Sequence, residues 1–188
     1  MPQLDTIKWS PVAEVFKYNP QTVRDFIAEF GFEPTKADFD LLGVAHDDYV
    51  RSEGNALVNA GLQRLSDLIT GTGQAFTTTR GMSGVGNSTT ATTGVMTALQ
   101  GASQLYKALD GAPGSAVGVI SGSTTYQTGE ANFAWEEWCW AISTAAPVTN
   151  ASFATATTSG VMLNRKVQAL GTKASGAVWT LQATITLS

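Results

Sequence analysis

The sequence is poor in the residues that most often build an active centre. It has one cysteine, Cys139, and one histidine, His46, in 188 residues. A single cysteine excludes an intrachain disulfide and any multi-cysteine metal site. Cys139 lies between Trp138 and Trp140, and free cysteines are among the most buried residues, so we expect a core thiol. Charge is sparse: 11 Lys and Arg stand against 15 Asp and Glu, for a net charge of −4. An acidic chain without a basic stripe argues against nucleic acid as a partner. No stretch approaches the roughly 20 apolar residues of a membrane span. The N-terminus has no basic-then-apolar leader, so the expectation is a soluble protein made without an export signal and with no membrane partner.

Chemical motifs are equally scarce. No Gly-x-Ser-x-Gly elbow occurs. The run Gly81 to Ser88 is glycine-rich but has no lysine for a phosphate loop, and Gly84 and Gly86 lack the third glycine of a dinucleotide fingerprint. They read as backbone geometry. The carboxylates from Asp47 to Glu53 do not have calcium-loop spacing. His46, beside Asp47 and Asp48, reads as a solvated residue at a helix start rather than a general base. Glu136 and Glu137 are adjacent, so a regular strand sends them to opposite faces, away from the paired geometry of a glycosidase. One of them is expected to pair with Arg165 or Lys166. The reading is therefore non-enzymatic, with no catalytic residue, no cofactor and no metal; a glycan hydrolase using Glu136 and Glu137 is the remotest alternative.

What the chain does have is a contrast between its two parts. Residues 1–70 carry 11 acidic and 6 basic side chains, and residues 71–188 carry 4 and 5. The first part looks helical. Asn19 suits an N-cap and Pro20 the first helical position; Val23, Phe26, Ile27 and Phe30 fall on one face; Gly31 ends the helix. A second helix covers Lys36 to Leu42, with Thr35 and Asp38 as a capping pair. The spacing predicts a third over Asp47 to Thr70, weakened by Gly54 and Gly61, whose glycines allow close packing on a second copy of the chain or on the chain's own first helix. Residues 1–18, with Leu4, Ile7, Trp9 and Val12, read as an extended arm that either docks on a partner or folds back on its own domain.

The second part reads as β structure rich in Thr, Ser, Ala and Gly. Ala177, Trp179, Leu181, Ala183, Ile185 and Leu187 alternate with polar residues, as in a half-buried strand. Val161 to Gln168 alternates similarly, and the short link from Gly171 to Gly176 suggests an antiparallel hairpin. Other strands are expected over Gln74–Arg80, Val117–Tyr126 and Ala131–Ile142, with a helix over Val95–Leu109, a loop or a strand broken by bends over residues 81–88, and a loop over residues 143–160. In the aromatic strand Phe133 and Trp135 have one parity and Trp138 and Trp140 the other, which predicts a bulge near Glu136. Trp135, Trp138 and Trp140 are either core residues or a platform that stacks on sugar rings. The fold class expected is α+β: a helical N-terminal region over residues 1–70, serving anchoring and oligomerisation, followed by a C-terminal antiparallel β-sandwich over residues 71–188.

Several stretches together resemble structural proteins of tailed-bacteriophage particles. They are Gly84 to Ala91 with Ala98-Leu99-Gln100, then Glu130 to Trp138, then Val161 to Val167, Leu170 to Gly176 and Trp179 to Leu187. The resemblance covers residues 71–188 and departs at Cys139, where glycine is expected. Residues Arg24 to Gly31 are similar to a subset from phages of actinobacteria. The resemblance implies a virion protein, assembled in the bacterial cytoplasm, that decorates or stabilises the capsid surface or vertices. The alternative it leaves open is a head or tail fibre or an adsorption protein that binds host glycans. It also implies a homo-oligomer, often a trimer, with the major capsid protein or other virion proteins as partners. The candidate anchor is Leu4, Ile7, Trp9, Val12, Val23, Phe26, Ile27 and Phe30; the candidate glycan-facing residues are Trp135, Trp138 and Trp140.

Overall fold

A computed structural model describes residues 8–143 and 160–188, together with the strand Ser152–Phe153. Two antiparallel sheets face each other across one apolar core. The first has the order β2-β1-β12-β7-β6, built from Asp48–Glu53, Trp9–Tyr18, Val178–Leu187, Val119–Tyr126 and Gly114–Ala116. The second has the order β3-β11-β8-β4-β5-β9, built from Ala56–Leu57, Asn164–Thr172, Ala134–Ser143, Gly81–Gly86, Gln104–Ala108 and Ser152–Phe153; β10 (Gly160–Met162) also pairs with β8. Helices α1 (Pro20–Phe30), α2 (Lys36–Leu41) and α3 (Asn59–Ile69) decorate this frame.

Strand β12 supplies the alternation expected of it. Trp179, Leu181, Ala183 and Ile185 enter the core between the sheets, with Leu187 packed against it. They meet Ala13 and Val15 of β1, Tyr126 of β7, and Val85, Trp138, Trp140 and Ile142 of the opposite sheet. The partner of β12 differs from the expectation. It pairs with β1 over ten positions and with β7 over eight, whereas β11 lies in the other sheet between β3 and β8. Residues 161–188 therefore form a crossing between sheets, not a hairpin. The reason is physical: alternation fixes which face of a strand is buried, but any strand with a free edge and the right register can pair with it.

A helical N-terminal region is not what the structure shows. Residues 9–18 form a central strand, and residues 48–53 its outer neighbour, so the first 70 residues contribute to both sheets. Pro11 is compatible with this position. Its carbonyl accepts from Gly54 on the β2 side, so its missing N–H points the same way, to where β2 has already ended. The expected helix over Asp47–Thr70 survives only as α3. Gly61 explains its placement: a Cβ there would lie 2.1 Å from the Leu163 carbonyl oxygen. The close approach expected at this glycine is real, and the neighbour is the chain's own second sheet.

Three further segments settle or reverse an expectation. Residues 81–86, left open between a loop and a strand broken by bends, are the fully buried strand β4, whereas Gln74–Arg80, read as a strand, is irregular. Residues 95–109, read as a helix, contain β5 and a non-helical approach to it. Helix α1 and, to within a residue, α2 form where their caps place them, and β7 and β8 closely match their expected spans. Part of the expected loop 143–160 lies outside the described residues.

Candidate interaction surface

Helices α1 and α2 form a corner on the outer face of the first sheet. Asn19 Oδ1 accepts from the backbone of Gln21 and Thr22 at 2.7 and 3.0 Å, and Pro20 opens α1. Gly31 N–H returns to Ile27 O and stops it. Thr35 and Asp38 make the expected capping box at the start of α2. Val23, Phe26 and Phe39 then bury against Tyr18 and Val178, with Phe16, Ile27 and Val44 around them. Tyr18 and Phe39 stack at 3.9 Å.

This packing decides which anchor candidates are available. Val23 and Phe26 are committed to their own core and Ile27 is half-buried, while Phe30 remains 41% exposed. Trp9 and Val12 belong to β1; Trp9 donates from its indole nitrogen to Asn55 and lines an apolar hollow of about 50 Å³ beneath α3. Leu4 and Ile7 lie outside the described residues. The anchor residues are therefore not one surface. The sequence reading missed three residues that stay out: Phe32 at 50% exposure, Leu41 at 84% and Leu42 at 47%. A signal existed. Phe39 faces inward, and residues two and three further along a helix cannot both share its face; Phe32 follows the helix stop. Exposed Asp25, Glu29, Glu33 and Asp40 lie in the same segment with exposed Arg24 and with Lys36, which pairs with Asp40, so the corner presents apolar groups among charges that are mostly acidic.

The tryptophan platform is excluded. Trp135 and Trp138 are fully buried and Trp140 nearly so, all in the core between the sheets. Trp135 shares that core with Trp138 and Trp140 despite its parity, as a bulge requires. The irregularity lies opposite Glu136, but the extra residues are in β11, between Val167 and Gly171. His46 is exposed, precedes a strand rather than a helix, and rests edge-on against Phe16.

Glu136 and Glu137 do not flank a common space. Glu137 is fully buried, and its Oε2 accepts from Arg165 Nε at 2.6 Å. The same carboxylate accepts from the backbone of Gln100 at 3.0 Å and of Gly101 at 2.7 Å. Arg165 donates from Nη1 to Thr90 O and Thr92 Oγ1. Gly86 leaves the room: a Cβ there would lie 2.4 Å from Glu137 Oε1. Of the pairings left open between Glu136 or Glu137 and Arg165 or Lys166, the structure makes Glu137 with Arg165, across the β8–β11 ladder. It clamps the long β4–β5 connection over the outer face of the second sheet. Beneath that connection lie Val58, Met82, Leu99, Tyr106, Cys139, Ala141 and Met162. Burial pushes the Cys139 thiol well above its ordinary range, so it is a core residue. No cluster of three or more potential metal ligands occurs among the described residues.

No family model matches the chain, and no curated protein or solved structure matches it.

Proposed function

We propose that this chain is a non-enzymatic structural protein of a tailed-phage particle that decorates or stabilises the capsid surface or its vertices. The observation that carries the attachment mode is the α1–α2 corner, where Phe30, Phe32, Leu41 and Leu42 stay exposed on a segment fixed by caps at both helices. Exposed large apolar groups on a well-anchored corner are what an assembly contact uses. The surrounding carboxylates specify the partner: an apolar patch rimmed by Lys or Arg on the major capsid protein or another virion protein. Three copies acting together, as the resemblance implies, would multiply modest contacts into stable decoration.

The test is immuno-electron microscopy of particles produced with the wild-type chain and with a Phe32→Asp/Leu41→Asp variant. The expected result is label over the head for the wild type and loss of label for a variant whose circular dichroism is unchanged. Label on the tail or neck would refute the capsid assignment. A fully incorporated variant would refute the corner as the contact. No label on any particle would refute the virion reading.

A further inference from the structure

Lys173 follows β11 directly, and its backbone N–H donates to Phe133 O at 3.1 Å, which holds it beside the entry to β8. Its side chain is 1% exposed. The turn from Gln127 to Asn132 wraps the amine: Nζ lies 2.8 Å from Gln127 O and 2.9 Å from Asn132 Oδ1. The Asn132 amide is itself oriented, because its Nδ2 donates to Thr128 O at 3.1 Å. A buried amine thus donates to the oxygen of a side-chain amide whose nitrogen is held on Thr128 O, on an asparagine open to solvent.

We propose that Lys173 and Asn132 join in an intramolecular isopeptide bond. Neutral Nζ attacks Cγ of Asn132, the Nζ–Cγ bond forms, and the Cγ–Nδ2 bond breaks. The proton shed by Nζ passes to the departing nitrogen, which leaves as ammonia through the exposed side. The reaction needs no oxidant, metal or cofactor. Glu130 lies close enough for its charge to act on the Lys173 amine. It belongs to the same turn, where its carboxylate accepts from Gln127 N at 2.8 Å and from Lys107 Nζ at 2.5 Å. Holding the two groups in contact replaces a bimolecular aminolysis by a unimolecular one. The environment favours the neutral amine: burial lowers the Lys173 ammonium to about 8, aided by Lys107 and opposed by the charges of Glu130 and Glu33. In a chain that cannot form an internal disulfide, the bond would tie the end of β11 to the start of β8 and restrain the unfolded state as a cross-link does.

The experiment is intact-mass measurement of the purified full-length chain after incubation at neutral and mildly alkaline pH, followed by tandem mass spectrometry of a tryptic digest. The expected result is a chain lighter by one ammonia, no cleavage after Lys173, and a branched peptide joining the segments of Asn132 and Lys173. The Lys173→Arg and Asn132→Ala variants should keep the full mass. A full-mass wild-type chain under both conditions, with cleavage after Lys173, would overturn the proposal and leave the lysine as an ammonium that caps the turn. Loss of ammonia without the branched peptide would also overturn it, since a succinimide at an asparagine gives the same mass. The wild-type measurement decides the matter even if a variant fails to fold.

Discussion

Breaking the Glu137–Arg165 pair should be among the most costly single changes in the molecule. Both side chains are completely buried, with a 2.6 Å contact between them. Arg165→Met keeps the stem volume but leaves a buried carboxylate held only by the N–H groups of Gln100 and Gly101. Glu137→Gln removes the charge that compensates the buried guanidinium, which keeps its bonds to Thr90 O, Thr92 Oγ1 and Met96 Sδ. Removing one partner of such a pair costs about 3–5 kcal/mol, against a total stability of about 5–15 kcal/mol for a typical domain. The double variant removes both charges and should lose less than the two single losses together, with a coupling of about 2 kcal/mol or more. Urea unfolding of the four proteins measures this cycle, provided the slope with denaturant stays constant. Amide exchange at Gln100 and Gly101 gives a second readout, because both donate to the lost carboxylate and should exchange faster in the Glu137 variant. Single variants within about 1 kcal/mol of the wild type, which is the scale of a surface pair, or strictly additive effects, would refute the clamp.

Three other changes have definite directions. Gly61→Ala should destabilise by about 1–3 kcal/mol, as overpacking does, although alanine in an open helix would gain about 1 kcal/mol; a stabilised variant in thermal unfolding would show that α3 does not rest on Leu163. Cys139 should resist a thiol reagent at pH 8 in the folded protein and react on denaturation, since burial raises its pKa; rapid native reaction would contradict its placement. The hydrogen bond from Lys17 lowers the pKa of Asp48, with the Tyr49 backbone assisting. Its stabilisation is then present above the unfolded value of about 3.9 and is lost as pH falls through the lower folded value. The acid limb of the pH–stability profile should flatten in Asp48→Asn, and an unchanged limb would remove this pair from the account.

The parts of the fold legible in the sequence are those set by local rules. Helices α1 and α2 are written in their caps and apolar faces, and β12 in its alternation. That one of Glu136 and Glu137 pairs with Arg165 or Lys166 could be read, because an acidic residue in an aromatic strand needs a partner; which pair forms could not. What could not be read depends on distant partners. Residues 81–86 contain three glycines and leave a loop and a bent strand equally open, yet Gly84 and Gly86 are small because Tyr106, Cys139 and the Glu137 carboxylate occupy the space their side chains would take. Residues 48–53 looked helical because their polar composition hides a strand paired on β1. The surface at Phe32, Leu41 and Leu42 was overlooked because the apolar stripe of α1 drew attention to residues that the core consumes. The stretches carrying the phage resemblance also converge in space: Gly86, Gln100, Glu137 and Arg165 meet at one ion pair, and Asn132 meets Lys173. The attachment proposed above lies elsewhere, at the α1–α2 corner on the outer face of the first sheet.

That separation changes how attachment can be tested. An arm that docks on a partner could be deleted without harm to the domain, but residues 9–18 are a central strand. Deleting residues 1–18 would strip β12 of ten paired positions and β2 of six. It would also remove Ala13, Val15 and Tyr18 from two of the cores. The loss of buried apolar area at about 25 cal/mol per Å², added to two broken ladders, exceeds what a marginally stable domain tolerates. The deleted chain should show no cooperative thermal transition and should bind a dye for exposed apolar surface. Failure of such a chain to join a particle would then report unfolding, not a missing anchor. If it instead melts cooperatively near the wild-type temperature, β1 is dispensable and the docking-arm interpretation of residues 1–18 regains its place. Substitutions on the α1–α2 corner avoid this ambiguity, because Phe32 and Leu41 can be changed without removing a strand.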